Sequence, residues 1–554
     1  MSLYTKHKDI IENAVKAMHE RVFWAQFPEN PSPKIYGETA DEEGRKKFEA
    51  SLNKNFQELR QAEADAWLGV EESPYTQQGL NIKYPAFSVE KLIDRGTHGF
   101  NQWRKVNYKE RAGLLVETLE RMKNRFFEIA YATMHTTGQG YMMAFQASGP
   151  HAADRALEAI AAGFEELGRF PEKTVWDKPM GKFNITLNKQ WRAIPKGINL
   201  VVGCSTFPTW NTVPGVYAAL ITGNSVIVKP HPGAVLPIAI VVAEIQKVLS
   251  ENGFDPNICQ LAVDSFDKMI TKDLAEHPSV KLIDYTGNSE FGTYLENIKG
   301  KVVFTEKTGV NSVILDSVEN LDEAINNLGF SLNLYSGQMC TAPQNFYIPA
   351  DGIQTPEGKI SFDAFAEKFA ASVSSLVDNP KAGPFVLGAI QNKNTCTRVE
   401  KAVSLGKLVL ASKALENPMF PGARTASPIV LAVDSSQKEV FSKELFGPIA
   451  LLIKTKNTDE SIALAKEMAM EHGAISCAAY TTNEEVKEKI MDEMGQAATP
   501  VSFNLGNGIY VNQNAAFSDF HVTGGNPAGN ASFTNADFVN KRFTWVGFRE
   551  PVKA

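Results

Sequence analysis

Short apolar runs that alternate with helical stretches set the strongest limit on how this chain can fold. The runs are rich in Val, Ile and Leu, and they occupy residues 199–203, 225–229, 258–263 and 280–285. Glycine and proline punctuate the sequence between them, and helices are predicted over 213–221 and 236–249. Continuous apolar strands joined through helices are typical of a parallel sheet that is covered on both faces. The pattern therefore predicts a doubly wound α/β sheet.

A second α/β stretch runs from about residue 310 to residue 500. Its predicted strands are residues 312–315, 344–348, 428–433 and 449–453. The first 160 residues have mainly helical spacing, with helices predicted over 111–132 and 155–167 and a proline-rich surface loop over 29–41. The tail from residue 515 is rich in Gly, Asn and Phe, and we expect it to form an arm that packs on a neighbouring subunit. A chain of 554 residues has room for two or three domains.

Composition and charge exclude several classes of protein. Hydrophobic residues make up 43% of the chain and charged residues 21%, which is the balance of a globular protein. A net charge of −7 leaves no basic surplus for nucleic acid. The first ten residues are polar, without the apolar core of a signal peptide, and no apolar stretch approaches the length that spans a bilayer. We expect a cytoplasmic protein that binds neither nucleic acid nor membrane.

Cysteine usage predicts a reactive thiol and no metal site. The cysteines lie far apart, at positions 204, 259, 340, 396 and 477, with no C-x-x-C pair and no cysteine–histidine metal spacing. A lone cysteine can instead be a nucleophile. Cys340 lies in the segment GQMCTAP, among small and polar residues just before a predicted strand. A thiolate that faces a cleft at such a place can add to an electrophilic carbon.

Four further segments carry polar residues where ligands bind in α/β proteins. The segment YTGNSEFG (285–292) reads as a strand end, a glycine turn and a helix start, and free amides at a helix N-terminus suit a phosphate. Lys229 ends a strand, at the crevice where parallel sheets bind nucleotides. Glu306 ends an apolar run in FTEKTG, and Glu444 begins the segment ELFGP. Each segment alone is ambiguous, whereas their order and spacing are informative.

Taken in order, these segments resemble the aldehyde dehydrogenase superfamily over about residues 100–530. Glu306 and Cys340 are separated by 340 − 306 = 34 positions, as the family's general base and nucleophile are. ELFGP matches the family's E-x-F-G-P motif. The segments PKG (195–197) and FP (207–208) match the separation of its P-x-G and N-F-P landmarks.

The resemblance implies a fold, a cofactor and a role for each matching residue. It implies a Rossmann-type cofactor domain, an α/β catalytic domain and an oligomerisation arm, with NADP or NAD as cofactor. Cys340 is then the nucleophile that attacks an aldehyde, and Glu306 is the base that activates water for release of the acid. The implied cofactor-binding residues are Lys229 at the adenosine ribose, Gly287, Ser289 and Gly292 in the phosphate turn, and Glu444 and Phe446 at the nicotinamide end.

Two positions depart from the family pattern. Thr206 stands where the family has the asparagine that helps to hold the oxyanion, so we expect the oxyanion to be held by Thr206 together with the backbone amide of Cys340. Asn211 is a possible substitute for the missing amide. Pro232 stands three residues after Lys229, where NAD-preferring members often carry a glutamate. Loss of that carboxylate removes a repulsion against the 2′-phosphate, so we expect NADP to be used at least as well as NAD.

The resemblance also suggests a branch, a domain plan and an oligomer. The long N-terminus, GQMCTA around Cys340 and TGGNPAG (523–529) look like the branch named for phenylacetic acid degradation, which implies a CoA-linked semialdehyde from phenylacetate ring opening. The expected plan is a helical extension and cofactor domain over 1–170 and 192–306, and a catalytic domain over 307–515. Arms over 171–191 and 530–554 are expected to join a homodimer or homotetramer, because exposed strands at 182–191 and 543–548 need covering.

Three competing functions remain open at this stage. A CoA-acylating dehydrogenase would pass the acyl group to CoA instead of water, and the presence of Glu306 argues against it because acyl transfer to CoA needs no base for water. A binding or scaffold protein that has lost catalysis is supported only by Thr206. A cysteine hydrolase without a cofactor has no recognisable His or Asp partner for Cys340 in the sequence.

Overall fold

The computed structural model describes residues 2–533 and 535–552. Its helices, in chain order, are α1 (Leu3–Glu20), α2 (Pro33–Tyr36), α3 (Ala40–Ser51), α4 (Val89–Trp103), α5 (Tyr108–Met122), α6 (Phe126–Thr137), α7 (Tyr141–Gln146), α8 (Ala152–Gly168), α9 (Pro208–Ile221), α10 (Leu236–Glu251), α11 (Thr271–Glu276), α12 (Ser289–Glu296), α13 (Leu321–Asn333), α14 (Phe362–Val377), α15 (Gly383–Leu387), α16 (Lys393–Ala402), α17 (Lys438–Phe441), α18 (Thr458–His472), α19 (Glu484–Gln496) and α20 (Ala536–Asn540).

The strands form three larger sheets and two short two-stranded ones within the described residues. In chain order they are β1 (Ala66–Leu68), β2 (Tyr84–Ala86), β3 (Lys173–Pro179), β4 (Asn184–Pro195), β5 (Ile198–Val202), β6 (Ser225–Lys229), β7 (Cys259–Leu261), β8 (Val280–Thr286), β9 (Val302–Glu306), β10 (Ser312–Leu315), β11 (Asn345–Pro349), β12 (Ile353–Thr355), β13 (Gly358–Ile360), β14 (Lys407–Leu410), β15 (Ile429–Asp434), β16 (Ile449–Thr455), β17 (Cys477–Tyr480), β18 (Val501–Phe503) and β19 (Phe543–Pro551).

The first large sheet has five parallel strands in the order β7-β6-β5-β8-β9. Apolar residues of α9 and α10 pack on one face, and residues of α4, α11 and α12 pack on the other. The predicted doubly wound sheet is therefore confirmed, together with its four predicted strands. Strand β7 is shorter than expected because a 3₁₀ turn over Pro256–Ile258 takes up the start of the run.

The second large sheet has seven strands in the order β14-β15-β16-β11-β10-β17-β18. All pairs are parallel except the edge pair of β14 with β15. Helices α16, α18 and α19 cover one face, and α13 and α14 cover the other. The four predicted strands of this stretch are confirmed as β10, β11, β15 and β16.

Two predictions for the N-terminal region differ from the structure. The single helix expected over 111–132 is broken into α5 and α6 by a 3₁₀ turn over Lys123–Arg125. The buried guanidinium of Arg125 forms ion pairs at this turn with Glu58, Glu128 and Glu244. The expected loop over 29–41 contains helix α2, whose start is capped by the Ser32 hydroxyl accepting from an amide.

The N-terminal extension caps helix α10, which packs on the five-stranded sheet. The buried carboxylate of Glu71 accepts hydrogen bonds from the amides of Val235 and Leu236, at 2.6 and 2.9 Å, where α10 begins. The Tyr84 hydroxyl donates to the other oxygen of Glu71 at 2.5 Å. A carboxylate at a helix N-terminus satisfies free amides and complements the helix dipole. The extension therefore supplies a cap that α10 lacks in its own sequence.

The tail does not behave as one arm. Its first half packs inside its own chain, where Phe517, Val522 and Phe533 join the core under α8 and α9. This part of the arm prediction was wrong, because these aromatic and apolar side chains are buried rather than exposed. Its second half forms β19, which pairs antiparallel with β4 in a three-stranded sheet ordered β19-β4-β3. The strands expected at 182–191 and 543–548 are thus confirmed.

A buried ion pair ties this second half of the tail to the five-stranded sheet. Both terminal nitrogens of Arg542 donate to the carboxylate of Asp284 on β8, at 2.6 and 2.8 Å. The guanidinium also lies 4.1 Å from the ring centre of Phe304 on β9. A bidentate pair with an aromatic face on the guanidinium compensates the loss of water from both charges.

Within the described residues, no helix is both long enough and apolar enough to cross a membrane.

Candidate active site

Cys340 is presented by a strained loop that follows α13. Tyr335, Ser336 and Gly337 all have left-handed backbone angles, with φ of 50°, 50° and 61°. Tyrosine and serine rarely adopt this conformation, and the loop is held in it by the Ser336 hydroxyl, which donates to the carbonyls of Leu387 and Ala426. Backbone strain of this kind concentrates at functional sites.

Asn311 fixes the backbone on the other side of the nucleophile. Its side-chain amide donates to the carbonyls of Cys340 and Ala342, at 2.7 and 3.1 Å. Its side-chain oxygen accepts from the amides of Ile475 and Ser476 next to β17. The position of Cys340 is therefore set by the seven-stranded sheet as well as by its own loop.

Glu306 ends strand β9 and is almost completely buried, with 1% of its surface exposed. The Asn211 side-chain amide on α9 donates to Glu306 Oε2 at 2.8 Å, and His521 Nε2 lies 3.2 Å from the same oxygen. The other oxygen, Oε1, has no hydrogen-bond partner. Ligand atoms of Glu306, Cys340 and His521 all lie within 4.8 Å of one another. The structure thus brings the predicted base and nucleophile together.

The ionised forms of the two predicted catalytic groups, a thiolate and a carboxylate, repel each other. Burial alone raises the pKa of Glu306, but His521 and the hydrogen bonds from Cys340 and Asn211 outweigh it and leave the pKa below its ordinary value. Burial raises the pKa of Cys340 well above its ordinary range, and the adjacent carboxylate of Glu306 raises it further. The resting pair is therefore a thiol beside a carboxylate.

Two cavities meet at Cys340. One has a volume of about 760 Å³ and extends between the two large sheets, and the other has a volume of about 470 Å³. Cys340, Asn211 and Phe207 line both of them. A group bound in one cavity and a group bound in the other would therefore face each other across the thiol.

The larger cavity contains most of the predicted cofactor residues. Its lining includes Thr206, Gly287, Ser289, Glu306, Glu444 and Phe446. Asn288 caps α12, and the Ser289 hydroxyl lies 2.5 Å from that of Thr308. A Cβ on Gly287 would lie 2.4 Å from the Tyr285 hydroxyl, which folds back to donate to the Asn288 carbonyl. A glycine turn, a helix start and hydroxyl groups in one cleft fit a dinucleotide.

Two predicted cofactor residues lie outside this lining. Gly292 is one turn inside α12, where its Cα faces the stem of Lys307, and a Cβ there would lie 2.7 Å from that stem. Lys229 is buried at the end of β6. Its ammonium lies 2.7 Å from Asp264 and donates to the Pro230 carbonyl. Their roles toward a cofactor stay predictions.

Glu444 titrates near neutral pH. Burial raises the pKa of its carboxyl to about 8, in spite of the nearby guanidinium of Arg398. Arg398 in turn donates to the carbonyl of Phe446 at 2.6 Å. At pH 7 the carboxyl is therefore mostly protonated, so that it can donate as well as accept a hydrogen bond.

One residue of this site, His521, was not predicted from the sequence, and another, Asn211, was named without a supporting motif. His521 was not considered, because it comes from the tail, 215 positions after Glu306 (521 − 306). Cys340 thus does have a histidine neighbour. Asn211 was named as a substitute for the amide missing at Thr206, and its amide does lie at the junction of the cavities. No sequence signal marks His521, since the contact arises from tail packing.

Three side chains of this site are of the types that bind metal ions in proteins. Glu306, Cys340 and His521 are the one cluster of three such ligating residues found across the described parts of the chain. Thiolate, imidazole and carboxylate are the ligands that zinc prefers. Two members of this cluster, Cys340 and Glu306, are the predicted nucleophile and base, so the cluster is not assigned as a metal site.

The chain is similar to known proteins in both sequence and structure. The sequence profile of the aldehyde dehydrogenase family matches residues 79–527. The crystal structure of an NAD-dependent aldehyde dehydrogenase from Burkholderia multivorans superposes with a TM-score of 0.98, is 45% identical in sequence, and is covered over 100% of both chains.

Two curated relatives are more distant. 1-Pyrroline-5-carboxylate dehydrogenase 1 of Halalkalibacterium halodurans is 25% identical over 79% of this chain and 80% of its own. Benzaldehyde dehydrogenase (NAD⁺) of Pseudomonas putida is 24% identical over 68% of this chain and 73% of its own. None of these three relatives is named for phenylacetic acid degradation, so the finer branch assignment stays a prediction.

Replacement of Cys340 by serine should abolish turnover while the cofactor still binds. A serine hydroxyl is a much weaker nucleophile than a cysteine sulfur and leaves the cavity lining unchanged in size. Activity is followed by the absorbance of the reduced cofactor, and binding by quenching of protein fluorescence. Cys204→Ser is the matched control, because Cys204 lines the same cavity. If Cys340→Ser turned over at the wild-type rate, or if only Cys204→Ser lost turnover, the nucleophile would be Cys204 instead.

Proposed function

The chain belongs to the aldehyde dehydrogenase family and is therefore an oxidoreductase, and from this premise we propose that it oxidises an aldehyde to a carboxylic acid by way of a thioester on Cys340. The observation that carries the proposal is the position of Cys340 between two cavities, with the buried carboxylate of Glu306 beside it. One cavity suits a dinucleotide, the other an aldehyde, and the carboxylate suits the activation of water.

The proposed reaction begins and ends at the pair of Cys340 and Glu306. The resting thiol loses its proton as the sulfur adds to the aldehyde carbon, and Glu306 is the base within reach. When bound, NAD or NADP supplies the acceptor for the hydride of the resulting thiohemiacetal. Once the thiol proton has left Glu306, the carboxylate takes a proton from the water that attacks the thioester; the carbon–sulfur bond then breaks, and the proton of the new acid restores the Cys340 thiol.

Three donors are proposed for the developing oxyanion. The backbone amide of Cys340 and the hydroxyl of Thr206 were expected from the sequence, and Thr206 lines the larger cavity. Asn211 adds a side-chain amide that borders both cavities, but that amide donates to Glu306 in the structure. We propose that Asn211 turns from Glu306 to the oxyanion as the carboxylate moves, since one such donor contributes a few kcal/mol. Catalysis therefore does not depend on Thr206 alone, which removes the support for the scaffold alternative.

The residues proposed to hold the cofactor come from both large sheets. Gly287, Ser289 and Gly292 shape the turn at the start of α12, and Glu444 and Phe446 face them across the cleft. Lys229 is proposed at the adenosine end.

Preference between NAD and NADP depends on Asp264. Pro232 removes a carboxylate from the expected place, but the Asp264 carboxylate lies 2.7 Å from Lys229 Nζ. This ion pair engages the ammonium of Lys229, so the lysine has less positive charge to offer a 2′-phosphate. In place of the NADP expectation drawn from Pro232, we propose that NAD is used better, as the name of the Burkholderia relative says of that protein.

The smaller cavity favours an aldehyde with an uncharged body. Its apolar lining comprises Met142, Met143, Ala147, Phe207, Trp210, Phe330, Leu334, Met339, Phe385, Val386 and Tyr510. Among its lining residues there is no lysine or arginine, and the ionisable groups other than Cys340 and Tyr510 are Glu29, His151 and His521. A substrate carboxylate close to the aldehyde would find no cation to compensate its desolvation. We propose an aliphatic or aromatic aldehyde.

The finer substrate suggested by the phenylacetic acid branch is compatible with this lining. In a CoA-linked semialdehyde from ring opening, the segment next to the aldehyde is an uncharged carbon chain, and the charged nucleotide would stay outside the cavity. The CoA-acylating alternative would make CoA the acyl acceptor. The buried, ionised Glu306 beside Cys340 favours water instead.

We propose that the three-stranded sheet joins subunits into a homodimer or homotetramer. Every residue of β3 is exposed, and exposed apolar side chains lie along this sheet: Val175, Trp176, Ile185, Ile194, Val546 and Phe548. Exposed edge strands with apolar side chains pair readily with a second copy.

The change Glu306→Gln should separate hydride transfer from hydrolysis. The amide keeps the size of the carboxylate but cannot accept a proton, so deacylation should slow by ~10²–10⁴-fold. Rapid-mixing absorbance should show a burst near one equivalent of reduced cofactor per site, followed by slow turnover. Glu296→Gln is the control, because Glu296 bonds Thr305 and Lys307 outside the catalytic pair. Wild-type steady turnover in Glu306→Gln, or a wild-type requirement for CoA, would contradict hydrolysis.

Pentanal and 5-oxopentanoate, which have five carbons each, should differ as substrates. The neutral aldehyde should have a kcat/KM at least tenfold higher, which corresponds to about 1.4 kcal/mol, because the carboxylate has no cationic partner in the smaller cavity. Assays with each cofactor, with and without CoA, should show a higher kcat/KM with NAD than with NADP. The change Asp264→Asn should reduce the difference between the kcat/KM values measured with NAD and with NADP. Equal rates for both aldehydes would contradict the substrate class.

Static light scattering should give the mass of a dimer or tetramer at micromolar concentration. Replacement of Val546 and Phe548 by lysine should lower that mass, because two charges would lie on the apolar face of β19. Leu408→Lys on the exposed edge strand β14 is the control and should leave the mass unchanged. A wild-type monomer at the same concentration would contradict the arm assignment.

A further inference from the structure

His521 has no role in the reaction as described above, although it is one of the most buried polar side chains of the site. It is 1% exposed, and it lines the smaller cavity next to Cys340. Its Nε2 lies 3.2 Å from Glu306 Oε2 without the alignment of a hydrogen bond, and neither ring nitrogen has a hydrogen-bond partner. A buried polar atom without a partner costs about 1–3 kcal/mol of stability, so such an atom in a native site calls for a functional explanation.

The surrounding residues hold the imidazole in one orientation. Trp210 meets its ring edge-on at 4.5 Å between centres, and Phe533 stacks on it at 5.8 Å. The next residue, Val522, has φ of +58°, a left-handed conformation that is strained for a β-branched side chain. Packing and strain together fix His521 on Glu306, and the neighbour Trp210 belongs to the same helix as Asn211.

The hydrolytic step leaves one proton without a route to solvent. Water attacks the thioester carbon and gives a proton to Glu306; the carbon–sulfur bond then breaks with its electron pair on sulfur. The proton of the new carboxylic acid restores the Cys340 thiol, and the proton on Glu306 remains. Glu306 is 1% exposed, so this proton has no direct path to bulk solvent.

We propose that His521 is the proton relay of deacylation. Its Nε2 takes the proton from Glu306 Oε2, and its Nδ1 releases a proton toward the smaller cavity, which restores the carboxylate for the next turnover. The titratable groups that face this pair are Cys340, Cys204 and Glu444, all of them acids that hold their protons in the resting site. None of them can serve as the acceptor, whereas an imidazole can both accept and donate.

This inference rests on the proposed hydrolytic function, and an activated ester tests it without any cofactor. p-Nitrophenyl acetate acylates a reactive thiol and releases p-nitrophenolate, so a burst reports acylation of Cys340 and the steady rate reports deacylation. His521→Ala and His521→Gln should keep the burst and lose roughly 10²-fold in the steady rate. His7→Gln is the matched control, because His7 is also a buried histidine beside a glutamate, 2.7 Å from Glu117, but lines neither cavity, and it should behave as wild type.

Chemical rescue by free imidazole distinguishes a proton relay at His521 from a purely structural role of this residue. Free imidazole should accelerate deacylation of His521→Ala, which leaves space for it, and not of His521→Gln, whose side chain fills that space. The rescue should grow with pH across about 6.5 as imidazole becomes neutral. Wild-type deacylation in His521→Gln, a lost burst in both variants, or absence of rescue would overturn the relay. A wild-type enzyme that deacylates only with CoA would instead overturn the hydrolytic function.

Discussion

The buried carboxylate of Glu306 is the group on which the active site depends. A charge with 1% exposure is stable in a protein only when neighbouring groups replace the water that it loses. Here the replacements come from distant parts of the chain: Asn211 from helix α9 and His521 from the tail. The backbone of Glu306 is held as well, through a bridge to Gly529 and a hydrogen bond from Lys307 to Ala528. The tail is therefore part of the site.

The relation between the two sheets sets the surroundings of Cys340. The five-stranded sheet ends at Glu306, and the seven-stranded sheet begins at Ser312, so the base and the nucleophile lie on opposite walls of one cleft. The same closeness raises the pKa of Cys340, because a thiolate beside a carboxylate is repelled. The Cys340 sulfur is therefore held as a thiol in the resting state. Asn211 and His521 both contact the Glu306 carboxylate that holds it in this state.

The N-terminal extension and the last strand stabilise the cofactor domain from outside its own sequence. Glu71 caps α10, and Arg542 neutralises Asp284 in the middle of the five-stranded sheet. Each places a charged group where the domain by itself would have free amides or an uncompensated carboxylate. Removal of either segment would expose these groups, so the five-stranded sheet is not an independent unit in this chain.

Local sequence determined the strands and the helices and predicted Cys340 and Glu306 as nucleophile and base, because apolar periodicity and ordered motifs are properties of neighbouring residues. The runs at β5, β6, β8 and β10 and the pair of Glu306 and Cys340 were predictable for this reason. Only the tertiary structure decided which side chains surround Glu306. His521 reaches it across 215 positions (521 − 306), and the Asp264 carboxylate meets Lys229 across the sheet. Such contacts depend on how the tail and the loops pack. The local sequence pattern does not show which distant residues folding brings together.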